Sequence, residues 1–162
     1  MKFEKISYQQ FSNDWCGVND GGLITAAYDS IKIPKRSTAY SAGYDISTPV
    51  PFKIATGETI KIPTGLRVTG MPKDVVLLGF VRSSIGIKRN IVLCNGTMIL
   101  DADYADAKNE GHMWIALRNE GNGWEEFNTG DKICQGVFVH YLVTEDDSAD
   151  GVRVGGIGST GK

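Results

Sequence analysis

The chain has 162 residues, of which 41% are hydrophobic and 22% charged, and its formal net charge is −2. This length suits one domain with a sizeable core, and the negative charge argues against broad electrostatic binding of nucleic acid. No run approaches the ~20 apolar residues that span a bilayer, and the N-terminus lacks a signal-peptide pattern, so we expect a cytoplasmic protein that binds neither nucleic acid nor membrane.

The predicted elements are short strands separated by Gly, Pro and Asn. In chain order these strands are Glu58–Ile62, Val75–Val81, Ile91–Cys94, Met113–Leu117 and Lys132–Val143. Helical periodicity is scarce, and the sequence predicts at most one short helix, over residues 85–89, with the hydroxyl of Ser83 or Ser84 as its cap. The spacing of the strands and the 20 glycines predict an all-β sandwich or barrel.

We expect one domain, residues 1–162, in three parts. Residues 1–35 are an N-terminal extension that no pattern explains, residues 36–150 form the β core, and residues 151–162 are a mobile arm. Arg153 to Lys162 hold four glycines, two hydroxyls and two cations. Glycine has the most backbone entropy to lose, so this tail is either a frayed terminus or an arm that becomes ordered over phosphate, which N–H groups, hydroxyls and a guanidinium all bind.

The cysteines and histidines argue against two kinds of site. Cys16, Cys94 and Cys134 are odd in number and far apart, so neither a disulfide framework nor a thiolate zinc site is expected. Cys94 and Cys134 lie in apolar runs, which predicts small buried side chains. His112 and His140 alone give little support to a His-rich metal site, whereas a hard cation held by carboxylates and phosphates stays open.

Two segments could bind an anion or its counter-ion. Asp45 lies where the loop Ser41–Gly43 leads into a strand, so it is either a turn residue or a group beside a ligand. Arg82 and Ser83-Ser84 follow a predicted strand and begin the predicted helix, whose N-terminal N–H groups attract anions. The alternative there is an ordinary helix cap with a surface arginine.

Two more segments offer a carboxylate and an amide. Asp101 and Tyr104 follow a possible hairpin at Asn95. A carboxylate there could activate water and a tyrosine could pack against a sugar, or the acids belong to a solvated turn. Gln135 lies in an otherwise apolar strand after the turn Gly130–Lys132, so it is either a hydrogen-bonding residue of the core or a ligand contact.

Taken together and in this order, the five segments resemble the five motifs of the trimeric dUTP pyrophosphatase (dUTPase) family, of the bacterial or phage type. The matching residues, from about residue 40 to the C-terminus, are Ala42-Gly-Tyr-Asp45, Arg82-Ser-Ser84, Asn95 with Leu100-Asp101 and Tyr104, Gly130-Asp-Lys-Ile-Cys-Gln135, and Arg153 to Gly161. The resemblance implies a distorted jelly-roll-like β-barrel, a magnesium ion, and hydrolysis of dUTP to dUMP and pyrophosphate. It also implies a homotrimer with shared active sites, in which the arm reaches a neighbouring subunit.

The resemblance further implies a role for each matching residue. Asp101 activates the water that attacks the α-phosphorus, and Asp45 holds magnesium through water. Asn95 reads the uracil edge together with the hairpin backbone, and Tyr104 packs on the deoxyribose and leaves no room for a 2′-hydroxyl. The remaining substrate-binding residues contact the phosphates: Arg82, Ser83, Ser84, Gln135, Arg153, Gly156, Gly158, Ser159 and Thr160.

Three departures from the family pattern concern the pocket. Ile157 replaces the usual aromatic residue that stacks on uracil, which loses base stacking unless another side chain, such as Trp114 or Phe127, covers the base. Met98 replaces a glycine and is expected to narrow the pocket or shift the hairpin. Residues 105–111 form a longer loop in place of a short turn.

Two alternatives to a dUTPase remain. A dCTP deaminase of the same fold also carries Arg-Ser-Ser, but it needs a glutamate in the strand after the third motif, and His112–Arg118 contains no acid. A dUTP-sensing regulatory protein would keep the nucleotide pocket and bind a protein partner through residues 1–30 or the loop 105–111.

Overall fold

Antiparallel strands make up most of the structure, a computed structural model that describes residues 1–15 and 21–156. The strands in these residues are β1 (Lys2–Lys5), β2 (Lys35–Arg36), β3 (Tyr44–Ser47), β4 (Phe52–Ile54), β5 (Thr59–Pro63), β6 (Leu66–Thr69), β7 (Val75–Phe80), β8 (Ile91–Leu93), β9 (Met98–Leu100), β10 (Trp114–Asn119), β11 (Glu125–Phe127) and β12 (Lys132–His140). The helices are α1 (Tyr8–Asp14), α2 (Gly21–Ser30), α3 (Ser83–Arg89) and a 3-10 helix, η1 (Ala102–Asp106). The predicted all-β fold is confirmed, whereas the prediction of at most one short helix is wrong.

The two unpredicted α-helices lie in the first 30 residues. Helix α1 begins after Ser7, whose hydroxyl accepts a hydrogen bond from the N–H of Gln10 at 3.1 Å, and it buries Phe11 completely. Two turns of helix are too short to show a clear 3.6-residue pattern. Helix α2 begins at Gly21, in a run typical of a turn, so the burial of side chains such as Ile24 stabilises it more than its sequence preference does. Within the described residues no helix has both the length and the apolar character needed to cross a membrane.

Helix α3 confirms the predicted helix but not its cap. The N-cap residue is Arg82, which is extended and makes no side-chain cap hydrogen bond, so the expected serine cap is wrong. At the other end Asn90 is left-handed, with φ of 53°, and its N–H donates to the carbonyl of Ile85. Lys88 and Arg89 in the last turn complement the helix dipole.

The strands form two larger sheets and two ribbons, and every pairing is antiparallel. One sheet has the order β2-β3-β12-β7-β9 and the other β5-β10-β8, while β1 pairs with β6 and β4 with β11. All five predicted strands are present, although β12 ends at His140 instead of Val143. Among the described residues the sheets stay open and do not close into the expected barrel.

One hydrophobic core joins the two sheets. In β7 the buried residues Val75 and Leu77 alternate with less buried neighbours, as a strand with one inward face requires. They share the core with Ile46 of β3, Ile62 of β5 and Leu117 of β10. The possible hairpin at Asn95 is instead a turn, over residues 94–97, between β8 and β9, which belong to different sheets.

The cysteine predictions are partly correct. Cys134 is fully buried in β12, and burial raises the pKa of its thiol to about 12. Cys94 is exposed, contrary to the prediction, because it lies in the turn after β8 and not within the strand. Cys16 lies outside the described residues.

Candidate active site

Cationic and hydroxyl groups surround Asp45 in β3. Arg82 Nε lies 2.9 Å from Asp45 Oδ1, and Oδ2 accepts hydrogen bonds from Lys132 Nζ at 2.6 Å and from Ser37 Oγ at 2.7 Å. The Asp45 side chain is only 10% exposed. Burial acts to raise the pKa of Asp45, but the bonds from Lys132 and Ser37 and the charge of Arg82 outweigh it and hold the pKa below its usual value. We call Asp45, Arg82, Lys132, Ser37 and Gln135 the Asp45 cluster.

Gln135 joins this cluster because β12 lies between β3 and β7. It is paired with Asp45 on one side and with Phe80 on the other. A Cβ added at Gly43 would lie 2.5 Å from Gln135 Oε1, so the amide keeps this position only while residue 43 is glycine. Among the described residues the side-chain amide of Gln135 has no hydrogen-bond partner, and the residue is only partly buried.

The two serines of the second motif lie on the surface beside the cluster. Ser83 and Ser84 are the exposed first residues of α3, directly after Arg82. A cavity of about 260 Å³ is lined by Arg82, Ser84 and Lys132 among others, and a neighbouring one of about 500 Å³ by Asp45, Ser37 and Lys132 among others. The first, second and fourth motifs are therefore brought together in one chain.

A separate cavity of about 230 Å³ contains the third motif and the start of the arm; we call it the Asp101 cavity. It is lined by Asn95, Met98, Ile99, Leu100, Asp101, Tyr104, Met113, Trp114, Arg153 and Gly156. The Asp45 cluster and the Asp101 cavity share no residue among the described parts of the chain. Gly158, Ser159 and Thr160, and also Ile157, lie outside the described residues.

Arg153 connects the arm to the acids of the third motif. Its Nη2 donates to Asp101 Oδ2 at 2.5 Å and its Nε to Asp103 Oδ1 at 2.7 Å, and the guanidinium lies 5.7 Å from the centre of the Tyr104 ring. The Arg153 side chain is only 14% exposed. Within the described residues the other Asp101 oxygen, Oδ1, accepts no hydrogen bond, and the Asp101 side chain is 53% exposed.

Both hydrogen-bonding capacities of the Tyr104 phenol are used. The hydroxyl donates to the backbone carbonyl of His112 at 3.1 Å and accepts from Asn109 Nδ2 at 3.0 Å. Burial raises the pKa of Tyr104 above its usual value, so the phenol stays protonated. Asn109 also lies beside the arm. A Cβ added at Gly156 would be only 3.0 Å from Asn109 Nδ2. The ring of Tyr104 is thus fixed in the wall of the cavity.

The imidazole of His112 is neutral and ties this region to the N-terminal residues. Gly65 N–H donates to His112 Nε2 at 2.9 Å, so Nε2 carries no proton, and Nδ1 then donates to Asp14 Oδ2 at 2.6 Å. Burial lowers the pKa of His112, although Asp14 acts in the opposite direction. The loop 105–111 is also tied to α1, because Glu110 accepts hydrogen bonds from the N–H and the hydroxyl of Ser7, at 2.8 and 2.6 Å.

The residues that depart from the family pattern, and the aromatic residues near them, lie in different parts of the structure. Met98 is buried in the wall of the Asp101 cavity and packs on β7, where a Cβ at Gly79 would lie 2.7 Å from Met98 Cε. Phe127 is buried elsewhere and stacks on Phe52 with ring centres 4.6 Å apart, so it cannot cover a base in this cavity. Trp114 lines the cavity and is partly exposed.

Sequence reasoning missed several residues of both regions. Ser37, Asp103, Asn109 and His112 make the contacts described above, yet none of them lies in a recognisable sequence pattern with the groups it touches. Lys132 lies inside the fourth motif, and its position there could have marked it as a partner of Asp45.

The donor groups fit a hydrated magnesium ion better than a metal held by protein alone. No group of three Asp, Glu, His or Cys side chains in residues 1–15 and 21–156 could hold a metal ion. Asp45 is a single carboxylate with cations at both oxygens. Magnesium keeps several waters and often binds through one or two carboxylates and substrate phosphates. Because Arg82 and Lys132 already pair with its oxygens, Asp45 has no oxygen free for direct coordination, and a hydrated ion could contact it only through water.

Comparison with known proteins gives a consistent result. A family model described as dUTPase matches residues 29–161. A deoxyuridine 5′-triphosphate nucleotidohydrolase of Lactococcus lactis is 42% identical over 134 residues, which cover 81% of this chain and 89% of the relative. Its counterpart in Desulfitobacterium hafniense is 33% identical over 137 residues, covering 80% of this chain and 87% of the relative.

Solved structures share the fold. The crystal structure of a dUTPase from Streptococcus mutans superposes with a TM-score of 0.69 and 29% identity, covering 90% of this chain and 99% of the other. A dUTPase from phage phi11 of S. aureus has a TM-score of 0.64 and 23% identity, covering 76% of this chain and 92% of the other. The chain therefore belongs to the dUTPase family, and the prediction of a dUTP diphosphatase with a jelly-roll-like fold is confirmed at the level of the family.

Proposed function

We propose that this protein hydrolyses dUTP to dUMP and pyrophosphate, with Asp101 as the general base. The Asp101 cavity is the observation that carries the proposal. A carboxylate, the Asn95 amide, the fixed Tyr104 ring and the Arg153 guanidinium all line one space of about 230 Å³. These groups are suited to activating water, reading a base edge, packing against a sugar and neutralising phosphate.

The reaction is a displacement at the α-phosphorus. Asp101 Oδ1 accepts a proton from water as the water oxygen bonds to the α-phosphorus, and the bond from that phosphorus to the α–β bridging oxygen breaks. Pyrophosphate leaves with the electron pair, and dUMP retains the new oxygen. Arg153 supports the base by holding the other Asp101 oxygen at 2.5 Å, which fixes the orientation of the carboxylate.

The Asp45 cluster and the two serines beside it supply the phosphate contacts. Arg82, Ser83, Ser84 and Gln135 bind the triphosphate together with the arm residues Gly156, Gly158, Ser159 and Thr160. A magnesium ion, when bound, neutralises negative charge on the leaving pyrophosphate, and Asp45 holds it through water. Arg82 and Lys132 both lie within 3 Å of Asp45, so positive charge is already concentrated where the phosphates would lie.

Specificity for deoxyuridine follows from the third motif. Tyr104 is held by two hydrogen bonds, so its ring cannot move aside for a 2′-hydroxyl, which disfavours UTP. Asn95 and the backbone of its turn pair with the uracil edge. Cytosine presents mismatched donors and acceptors there, and each buried group left unpaired costs about 1–3 kcal/mol.

We further propose a homotrimer in which each active site is shared between subunits. The support is the separation of the Asp45 cluster from the Asp101 cavity within one chain. Mixing inactive Arg82→Ala with inactive Asp101→Asn tests this, because a shared site can draw one intact half from each variant. Refolding an equal mixture should restore about a quarter of the wild-type activity, whereas unshared sites would restore none.

We also propose that the chain divides into an extension of residues 1–35, a core of 36–150 and an arm of 151–162. We propose a cytoplasmic location for the protein. Strand β1 pairs with β6 from Lys2 to Lys5, and Tyr28 donates a hydrogen bond to the carbonyl of Ile6. These contacts support a role for the extension in stabilising the core.

A substrate panel tests the proposed reaction. The protein is incubated with magnesium and dUTP, dCTP, dTTP or UTP, and both pyrophosphate and ammonia are measured. Pyrophosphate from dUTP alone is the expected result. Ammonia from dCTP would show a deaminase instead, although no acid lies between His112 and Arg118. Tight binding of dUTP without any product would show a nucleotide sensor.

A further inference from the structure

Trp114 is a partly exposed aromatic side chain in the wall of the Asp101 cavity. The other aromatic residue there, Tyr104, is only 6% exposed, and its hydroxyl both donates and accepts a hydrogen bond. Residue 157 of the arm is isoleucine and has no ring. Trp114 is thus the ring in this wall with free surface for a ligand.

The position of Trp114 is fixed by its neighbours. It is the first residue of β10 and lies opposite Pro63 in the sheet. The His112 ring contacts the indole at a centroid distance of 5.3 Å and an angle of 48°. His112 is itself held by Gly65 and by Asp14, so the indole is supported from behind by a rigid group.

Trp114 also lines a second small cavity, which Asp101 does not line. This cavity measures about 230 Å³ and is lined by Lys61, Leu93, Asn95, Met98, Trp114 and Ala116. Asn95, Met98 and Trp114 are common to both cavities. The wall is mostly apolar, with Asn95 and Lys61 as its polar members, and such a wall suits a flat heterocycle with polar edges.

The order of groups in a nucleotide decides which part meets Trp114. Asp101 acts at the α-phosphorus and Tyr104 lies against the sugar, so the base extends beyond the sugar, away from Asp101. Asn95, Met98 and Trp114 line the second cavity, and Asp101 and Tyr104 do not. Among the described residues the indole N–H has no hydrogen-bond partner, so it is also available to a polar atom of the ligand.

We propose that Trp114 packs against the uracil ring of dUTP and forms the aromatic wall of the base-binding part of the site, an inference that rests on the proposed function. Stacking of a base on an aromatic side chain is worth a factor of about 5 to 150 in affinity. Trp114 therefore contributes to binding and to the choice of a flat base, while proton transfer remains with Asp101.

Fluorescence and kinetics together test this inference. In the wild type, dUMP should quench part of the tryptophan emission, whereas inorganic tripolyphosphate, which has no base, should not. Trp114→Phe should lose this quenching and keep KM for dUTP within about threefold, since phenylalanine retains a ring. Trp114→Ala should raise KM about 10- to 100-fold with kcat changed less than about threefold.

A matched control is available in Trp124. It is 68% exposed and lines neither cavity, so Trp124→Ala should keep both the quenching by dUMP and the KM. Quenching that survives in Trp114→Phe, or a KM within twofold of wild type in a folded Trp114→Ala, would overturn the inference while dUTP hydrolysis persists. A folded wild type that leaves dUTP intact would overturn the proposed function itself.

Discussion

Replacing His112 by phenylalanine should make the protein less stable at neutral pH and less sensitive to acid. The histidine is fully buried and joins three parts of the fold through Gly65, Asp14 and the carbonyl that accepts from Tyr104. Phenylalanine keeps a ring of similar size but accepts no hydrogen bond from Gly65 N–H and donates none to Asp14. The backbone carbonyl at position 112 is unchanged, so the contact to Tyr104 can remain.

The loss at neutral pH follows from those two bonds. A buried N–H without a partner costs about 1–3 kcal/mol, and a hydrogen bond to a charged group contributes about 1.5–3 kcal/mol. Asp14 is partly exposed, so water replaces part of the second term. The free energy of unfolding should therefore fall by about 2–4 kcal/mol, which is a large part of the ~5–15 kcal/mol of a typical domain.

The pH dependence has a definite sign. Burial lowers the pKa of His112 in the folded protein below 6.5, so between that pKa and 6.5 the unfolded state binds more protons than the folded state. The stability that this residue contributes is complete above pH 6.5 and is lost as the pH falls through the folded pKa, with a slope of up to about 1.4 kcal/mol per pH unit. The phenylalanine variant lacks this slope.

Urea denaturation at one protein concentration, measured at pH 7.5, 6.5 and 5.5, checks both statements. The control is His140→Gln, which changes the exposed histidine of β12, whose side chain is 78% exposed, and should behave like the wild type. A His112→Phe protein with unchanged stability at pH 7.5, or with the wild-type loss between pH 6.5 and 5.5, would refute the neutral, hydrogen-bonded state of His112.

Three further substitutions test the packing around the site. Gly43→Ala places a Cβ 2.5 Å from the Gln135 amide oxygen. Because the flexible amide can move away, we expect a free energy of unfolding within about 1 kcal/mol of the wild type, measured by urea denaturation. The displaced amide should lower kcat/KM for dUTP about tenfold or more, measured by pyrophosphate release. Gly79→Ala meets Met98 Cε at 2.7 Å and Met98 Cβ at 2.9 Å. The thioether end can move but the Cβ is fixed to strand β9, so β9 must shift, and we expect a higher KM for dUTP and a lower free energy of unfolding, measured by the same two assays. Glu110→Gln weakens the two hydrogen bonds to Ser7, the cap of α1, and should lower the free energy of unfolding by about 1 kcal/mol at pH 7. The pKa of Glu110 lies below 4.5 in the folded state, so the wild type should lose this contribution as the pH falls below 4.5, whereas the variant should not. Urea denaturation at pH 3.5 and 5.5 would detect the difference.

The core strands were predictable because their pattern is local. In β7, for example, Val75 and Leu77 face inward in strict alternation, and the pattern is visible in sequence. The N-terminal helices were not predictable in the same way. Helix α1 has two turns, and α2 begins in a glycine run whose local preference is a turn, so the burial of Phe11 and Ile24 against distant residues decides their structure.

In the candidate site, too, the residues of local motifs could be predicted from the sequence and the residues that support them could not. Asp101, Tyr104, Arg82 and Gln135 lie in ordered short motifs, so sequence alone could predict them. The groups that hold them could not be predicted, because no sequence pattern places Asn109 of the loop 105–111 against the Tyr104 phenol, and Asp14 reaches His112 across 98 residues. The expected hairpin failed for a related reason, since β8 and β9 find their partners in different sheets.

The central claim is that Asp101 activates the water that cleaves dUTP. The most direct measurement compares single-turnover hydrolysis of dUTP by the wild type, by Asp101→Asn and by Asp106→Asn, which makes the same change at an exposed position of η1. Loss of the base should slow Asp101→Asn about 10²- to 10⁴-fold while binding of a non-hydrolysable dUTP analogue persists, and Asp106→Asn should stay near the wild-type rate. Equal rates for Asp101→Asn and the wild type, with both proteins folded, would contradict the account.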